Sequence, residues 1–399
     1  MRILFITDYP PYPPISGDRI RVYSIIRRLA KQHQVSVAVA LWTPDEAESI
    51  SHLRQFCYRA ETASIRWRHP LNYLPDLIRY ALEGKPPELR FLYSKDLADK
   101  VRQMFLSEDF DIMHVEQSRM ALYLEALPRS TNCARILAFQ NVASSQYARL
   151  LHVERKLITK MRALLHSLMM RRWEPRYAER FDRCIAVSEA DRRLLLAANP
   201  RLRIDVVPNG VDTQLYQPLS LEETRPALLF IGTMSYAPCV DAAIYFCKQI
   251  LPRIRSALGQ IGLWIVGANP TPGVSALRGD GVHVTGRVDS VIPYYKRSAI
   301  SIVPLRAGGG TRLKILESMA LGRPVVSTSI GCEGLDVVNG EHLLVADSPE
   351  QFAEQAVRLL TDQTLYNLIR TNARQLVTAR YDWDVIARKL LDVYHEAAS

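Results

Sequence analysis

Short runs of branched apolar residues recur along this chain, and most are followed by stretches in which apolar positions return every three or four residues. ILFIT (3–7) precedes a helical pattern over about 18–31, and VSVAVAL (35–41) follows it. DIMHV (111–115), ARILAF (134–139), CIAVS (184–188) and IDVVP (204–208) continue the series as further strands. The alternation restarts at ALLFIG (227–232), with a helix over 240–256, then LWIVG (263–267), VHVTG (282–286), AISIVPL (299–305), a helix through LKILESMAL and the strand PVVST (324–328). Strand, helix, strand in this order predicts α/β architecture with parallel sheets covered by helices on both faces.

The two series meet at VVPNGVDTQLYQPLSLEETRP (206–226), where Pro208, Asn209, Gly210, Pro218 and Pro226 mark a turn-rich connection. The pattern therefore divides the chain into an N-terminal doubly wound domain over 1–207 and a C-terminal one over 208–380. Helical stretches at 350–378 and 384–397 end it, and the segment 381–399 is expected to pack back toward the N-terminal domain. Ligands of open α/β sheets sit at the carboxyl ends of the strands, so two such domains are expected to face each other across a cleft.

The chain has 399 residues, ample for two cores, and 48% hydrophobic with 23% charged residues is ordinary globular composition. No apolar run approaches the roughly 18–20 residues needed to span a bilayer, and the N-terminal run is too short for a secretory leader, which leads to an expectation of a cytoplasmic protein. Six scattered cysteines show neither metal-finger nor disulfide spacing. A formal net charge of +10 predicts attraction to anions. Much of that charge lies in 149–183, where Arg149, Arg155, Lys156, Lys160, Arg162, Arg171, Arg172, Arg176, Arg180 and Arg183 interleave with Leu151, Leu157, Ile158, Met161, Leu164, Leu165, Leu168 and Met169. That pattern reads as a basic amphipathic helix, either a solvated face or a contact with an anionic membrane surface, with the protein peripheral on the inner membrane face. It lacks interleaved aromatic residues, and no nucleic-acid partner is expected.

The segment VPLRAGGGTRLKILESMALGRPVVST (303–328) carries the most chemistry. A strand runs into Gly308, Gly309 and Gly310, a helix opens at Thr311, and the chain returns to a buried strand at Pro324. Glycines let a phosphate approach the backbone, and the helix start offers unpaired N–H groups and the positive end of a dipole. Arg312 and Lys314 add fixed positive charge, while Glu317 stands where a carboxylate accepts from two ribose hydroxyls. The order GxxxxGK[ST] is absent, so this is not a Walker loop.

GGGTRLKILESMALGRPVVST, VVPNGVD and SGDRIR together resemble glycosyltransferase family 4, most closely its bacterial exopolysaccharide and capsule branch, which also shares GTMSYxPxxDA. The resemblance covers almost the whole chain. It implies the GT-B fold of two Rossmann-like domains, and a metal-independent, retaining sugar transferase with no cofactor beyond its donor substrate, a nucleotide-diphosphate sugar. The implied partner is a glycan or lipid-linked glycan acceptor. Two departures stand out. The family's first glutamate of a pair eight apart is Gly309 here, Glu317 matching the second. An arginine and lysine usual after the first C-terminal strand are missing from GTMSYAP (232–238). The donor diphosphate then falls to Arg312, Lys314 and Arg287 of VTGRV.

In the N-terminal half, Gly17 matches a family position at the donor, or is simply a helix start. His114 and Glu116, closing the strand DIMHV, are candidate catalytic residues facing the acceptor, alongside Arg312 and Lys314. No metal-binding acidic pair stands at a strand end, so charge on the leaving group must be met by cations and a helix terminus. Two other readings remain open on these residues. One is a nucleotide-sugar 2-epimerase of the same architecture; the other is a module that binds nucleotide sugar or anionic lipid without turnover.

Overall fold

The computed structural model describes all residues except 44–45, 66–78, 81, 88, 129–130, 154–156, 221–226 and 309. The chain divides into two compact units, the first comprising Met1–Ala148, Met161–Pro208 and Trp383–Ser399, the second Arg149–Lys160 and Asn209–Asp382.

In the first unit, β1 (Arg2–Thr7), β2 (Gln34–Leu41), β3 (Arg59–Ser64), β4 (Ile112–Glu116), β5 (Ala134–Phe139), β6 (Arg183–Ala186) and β7 (Ile204–Val206) form one sheet in the order β3-β2-β1-β4-β5-β6-β7. Every pairing is parallel, with Phe5 opposite His114 and Val115 opposite Leu137. Successive residues of β1 serve opposite faces: Ile3 and Phe5 join one buried cluster, Leu4 and Ile6 the other. Burial on both faces is why these strands read as unbroken apolar runs. The C-terminal helix Trp383–Ala398 lies on the Ile3/Phe5 face, contributing Trp383, Ile386, Leu390 and Tyr394 to that core.

The second unit holds β8 (Ala227–Ile231), β9 (Gly262–Val266), β10 (Val282–Val284), β11 (Ile300–Val303), β12 (Val325–Ser327) and β13 (Leu344–Val345) in the order β10-β9-β8-β11-β12-β13, again all parallel. Two parallel doubly wound sheets match the α/β, Rossmann-like reading.

Some elements differ from the sequence pattern. β3, sequence RAETAS, and the two-residue β13 carry too few branched apolar residues to announce themselves; both lie at sheet edges. The expected helix at 350–378 is two helices, Pro349–Thr361 and Gln363–Leu376, because Asp362 adopts extended backbone and its carboxylate caps the second by accepting from Leu365 N.

Candidate functional site

In the second sheet, β8 leads outward through β9 to β10, and β11 leads the other way to β12 and β13, so the order reverses between β8 and β11. Crevices form at the carboxyl ends of strands at such a switch point. Gly232 directly follows β8, and the loop with Gly308 and Gly310 follows β11, which brings both glycine-bearing motifs to that place. The edge is built closely: Gly267, with φ +152, leaves so little room that a Cβ there would fall 1.7 Å from the Gly232 carbonyl oxygen. Gly309 lies outside the described residues.

Helix Leu313–Ala320 opens beside this edge with Arg312 as its N-cap residue. The Arg312 guanidinium folds back over its own loop, Nη1 donating to the Gly310 carbonyl at 2.6 Å. Gly308 has φ +120, a conformation that favours glycine, and a Cβ on it would stand 2.9 Å from Arg312 Nη2 and displace the guanidinium. Thr311 Oγ1 is buried without a hydrogen-bond partner among the described residues.

Lys314, in the first turn, sends its ammonium across the end of β8. It lies 5.0 Å from the Phe230 ring centroid, 4.0 Å from Cys239 Sγ, and 3.1 Å from where a Cβ on Gly232 would sit. Among the described residues no carboxylate forms an ion pair with it. Burial pulls its pKa below the ordinary lysine value, Cys239 and Glu317 act against that, and the Arg312 charge adds to it. One turn on, burial pushes the Glu317 carboxyl up to about 7 against the opposing pull of Lys314 and of the Tyr216 hydroxyl, 3.5 Å from Oε1. A recessed ammonium without a carboxylate, a helix N-terminus and a carboxyl poised near neutrality suit a phosphate ester that also carries hydroxyls. Arg287 is exposed after β10, the edge strand, with β9 and β8 between it and the glycine loop. Its neighbour Gly286 accepts from Gly267 N at 3.2 Å, and Gly267 stands against Gly232.

In the first sheet the switch point falls between β1 and β4. Gly17 is exposed at the start of helix Gly17–Leu29, with Ser16 at its N-cap. His114 and Glu116 require correction as residues facing an acceptor. Both are 0% exposed, because they point into the face covered by the C-terminal helix. His114 Nε2 lies 3.1 Å from Glu116 Oε1, its Nδ1 lies 2.6 Å from the Tyr394 hydroxyl, and its ring packs 4.6 Å from that of Phe5. Gln140 donates to Glu116 Oε2 at 2.9 Å. Burial works to raise the Glu116 pKa, but the hydrogen bonds and charges of His114, Arg21 and Gln140 outweigh it and hold the carboxyl below its usual range. These side chains tie the sheet to its covering helix.

The group that sequence reasoning passed over here is Asp8, immediately after β1. Its carboxylate is 2% exposed, paired with Arg119 Nε at 2.7 Å, and pushed up to about 6 by burial against that pairing. Gln117, just after β4, holds φ +70, an uncommon conformation for a side-chain-bearing residue. The signal available in sequence was an acid directly following a buried strand, in ILFITD.

The basic stretch forms helices Ala143–Val153 and Leu157–Ala178; Arg155 and Lys156 lie outside the described residues. Leu157, Ile158, Met161, Leu164, Leu165 and Leu168, spaced as one helical stripe, are 48–75% exposed, with Arg162, Arg171 and Arg172 also exposed. Among the described residues no helix is long and apolar enough to cross a membrane.

Comparison with known proteins bears on the whole chain. Residues 15–215 match the model of Glycosyltransferase Family 4, and residues 225–362 match that of Glycosyl transferases group 1. A 44.6 kDa uncharacterized protein in the cps region of Klebsiella pneumoniae is 21% identical over 96% of this chain and 96% of its own length. The phosphatidyl-myo-inositol mannosyltransferase of Mycobacterium leprae is 24% identical over 78% of this chain and 80% of its own. Among solved structures, sucrose-phosphate synthase from Thermosynechococcus elongatus superposes with a TM-score of 0.73 at 16% identity, covering 100% of both chains. Anabaena HepE in complex with UDP-glucose gives 0.69 at 16% identity, covering 99% of this chain and 100% of that one. These structural likenesses establish the GT-B fold.

Proposed function

This chain belongs to glycosyltransferase family 4, and from that premise we propose that it transfers a sugar from a nucleotide-diphosphate sugar to a hydroxyl of a glycan or lipid-linked glycan, with retention, in bacterial surface-polysaccharide synthesis. The observation that carries the donor assignment is Lys314, a recessed ammonium facing the switch point of the second sheet with no carboxylate within ion-pair distance among the described residues. Arg312 and the N-terminus of helix Leu313–Ala320 supply further positive potential for the diphosphate, and Glu317 accepts from the ribose. The charge that develops on the departing phosphate is met by these fixed groups, so the reaction proceeds without a divalent ion, and a phosphate oxygen takes the acceptor's proton. The relative from the cps region supports the surface-polysaccharide role. HepE in complex with UDP-glucose and relatives named as GDP-mannose-dependent point to different bases, so the donor is found by a panel.

Purified protein is expected to show a raised Tm with one of UDP-, GDP-, ADP- or dTDP-sugars and to release the matching nucleoside diphosphate, in chelator as well as with Mg²⁺. A ligand at 100 times its Kd adds about 2.7 kcal/mol. Binding without release of nucleoside diphosphate favours the non-catalytic module; loss of turnover in chelator, restored by Mg²⁺, removes the metal-independent mechanism.

The exposed stripe Leu157–Leu168 with its flanking cations supports a peripheral contact with an anionic bilayer, where each cation near the surface contributes about 1 kcal/mol. The protein is expected to float with vesicles rich in anionic lipid and not with zwitterionic ones. Equal behaviour with both leaves the helix a solvated face.

A further inference from the structure

The irregular segment 213–220, early in the second unit, is held in place by arginines that read backbone carbonyls. Arg374 donates to the carbonyls of Thr213 (3.0 Å), Tyr216 (2.7 Å) and Ala320 (2.7 Å). Arg323, 1% exposed, donates to those of Leu219 (3.2 Å), Ser220 (2.7 Å) and Tyr295 (2.9 Å), and Arg370 adds a bond to Leu219 at 3.3 Å. Leu219 N in turn donates to the Leu321 carbonyl at the end of helix Leu313–Ala320. Multiple charge-assisted bonds to one short segment fix its path, which is strong tethering for a stretch with no regular structure. The tether runs to the same helix that carries Lys314 and Glu317.

Its result is the placement of Tyr216. The side chain packs against the buried cluster of Leu229, Val266, Tyr295 and Leu321, and the hydroxyl points at Glu317 Oε1 from 3.5 Å, the long end of hydrogen-bonding distance. We propose that Tyr216 is a positioning residue of the donor site: its O–H engages one oxygen of Glu317 and so orients the carboxylate with the other oxygen toward the ribose. This rests on the assignment of Glu317 to the donor.

The groups facing Glu317 define the pH behaviour. Lys314 stands on its own helix, Tyr216 on the irregular segment 213–220, and Tyr295 on helix Ile292–Arg297, where its hydroxyl donates to the Lys314 carbonyl at 3.2 Å. Burial pushes Glu317 up to about 7, so part of the population holds a proton at neutral pH, and only the ionised form offers two full acceptors. Donor binding therefore releases a proton and strengthens as pH rises through about 7, levelling above it. The Tyr216 O–H favours the ionised form, and without it the carboxyl titrates higher.

The test is donor KM and kcat from pH 5.5 to 9 for the full chain and for Tyr216→Phe, Tyr216→Leu and Glu317→Gln, with Tm for each. For Tyr216→Phe a rise in donor KM of about tenfold at pH 7 is expected, from loss of a hydrogen bond to a charged group. The midpoint of the pH dependence is expected to move upward, with kcat within about twofold. Tyr216→Leu also lacks the hydroxyl but changes shape; the effect common to both variants belongs to the O–H, and a shift confined to the leucine variant is packing and overturns the proposal. Glu317→Gln is expected to raise KM and to flatten the pH dependence. A wild-type KM in Glu317→Gln removes the donor assignment itself. A raised, flattened profile in Glu317→Gln beside wild-type behaviour in Tyr216→Phe overturns the role of Tyr216 alone.

Discussion

Replacing Lys314 with methionine is expected to lower kcat a hundredfold or more while leaving Tm unchanged or raising it. The two effects have one cause. The ammonium sits over the Phe230 ring and beside Cys239, where burial pulls its pKa down more than the attraction of Glu317 and Cys239 restores it, and no carboxylate among the described residues stands within ion-pair distance. A recessed charge of this kind is costly to the resting protein, and removing it relieves the desolvation cost. In linkage terms the folded form binds the lysine proton more weakly than the unfolded chain. Wild-type stability should therefore rise as pH climbs toward the ordinary lysine range, and Lys314→Met should lack that rise. The same charge is most valuable when the glycosidic bond breaks and the departing phosphate gains charge, so the loss falls on kcat more than on donor KM. Removing one preorganised group of this kind costs on the order of 3 kcal/mol in the barrier. Arg312→Ala should lower turnover similarly, and since its guanidinium also braces the Gly310 carbonyl, KM should rise with it. Kinetics alongside thermal melts check this. Near-normal turnover in both variants would place the diphosphate elsewhere.

What the sequence made legible follows from what leaves a local trace. Strands buried on both faces announce themselves as apolar runs, which is why β1, β2, β5 and β8 were readable, and their alternation with helices pointed to parallel sheets, while the order of strands within each sheet left no local trace. The glycine loop was readable because three glycines before a helix have few other uses. The approach of Lys314 to Gly232 was not, since nothing near either residue says that the missing side chain of one makes room for the ammonium of the other. His114 and Glu116 misled for a related reason. A polar pair at a strand end on a switch point resembles a site, and only the position of Tyr394, 280 residues later, shows that a helix seals it. Tyr216 lay in a segment read as a turn-rich connection, whose order depends on three arginines at least a hundred residues further on.

Glu116→Ala is expected to be the most destabilising of the polar substitutions considered, and to do so without touching the chemistry. Its carboxylate is fully buried, accepts from Gln140, lies 3.1 Å from His114 Nε2, and supplies the main opposing charge to Arg21, which is 1% exposed. Removing one member of such a group leaves the others buried and uncompensated, at about 3–5 kcal/mol. For a unit of roughly 200 residues that corresponds to a Tm lower by about 6–20 °C. Glu116→Gln retains the shape and isolates the charge. Because the folded carboxyl titrates below its ordinary value, its contribution is present above the unfolded pKa and lost as pH falls through the folded one. Wild-type protein should therefore lose stability in acid below about pH 4.5, and the glutamine variant should lose less over the same window. His114→Ala should weaken the hold on Tyr394 and so loosen the C-terminal helix from the sheet, which hydrogen exchange over 383–398 would register. At temperatures where each variant remains folded, kcat should stay within about threefold of wild type, because neither side chain reaches the surface. A Glu116→Gln protein with unchanged Tm and abolished turnover would reverse the assignment, since a sealed structural tie cannot be lost silently while the reaction stops.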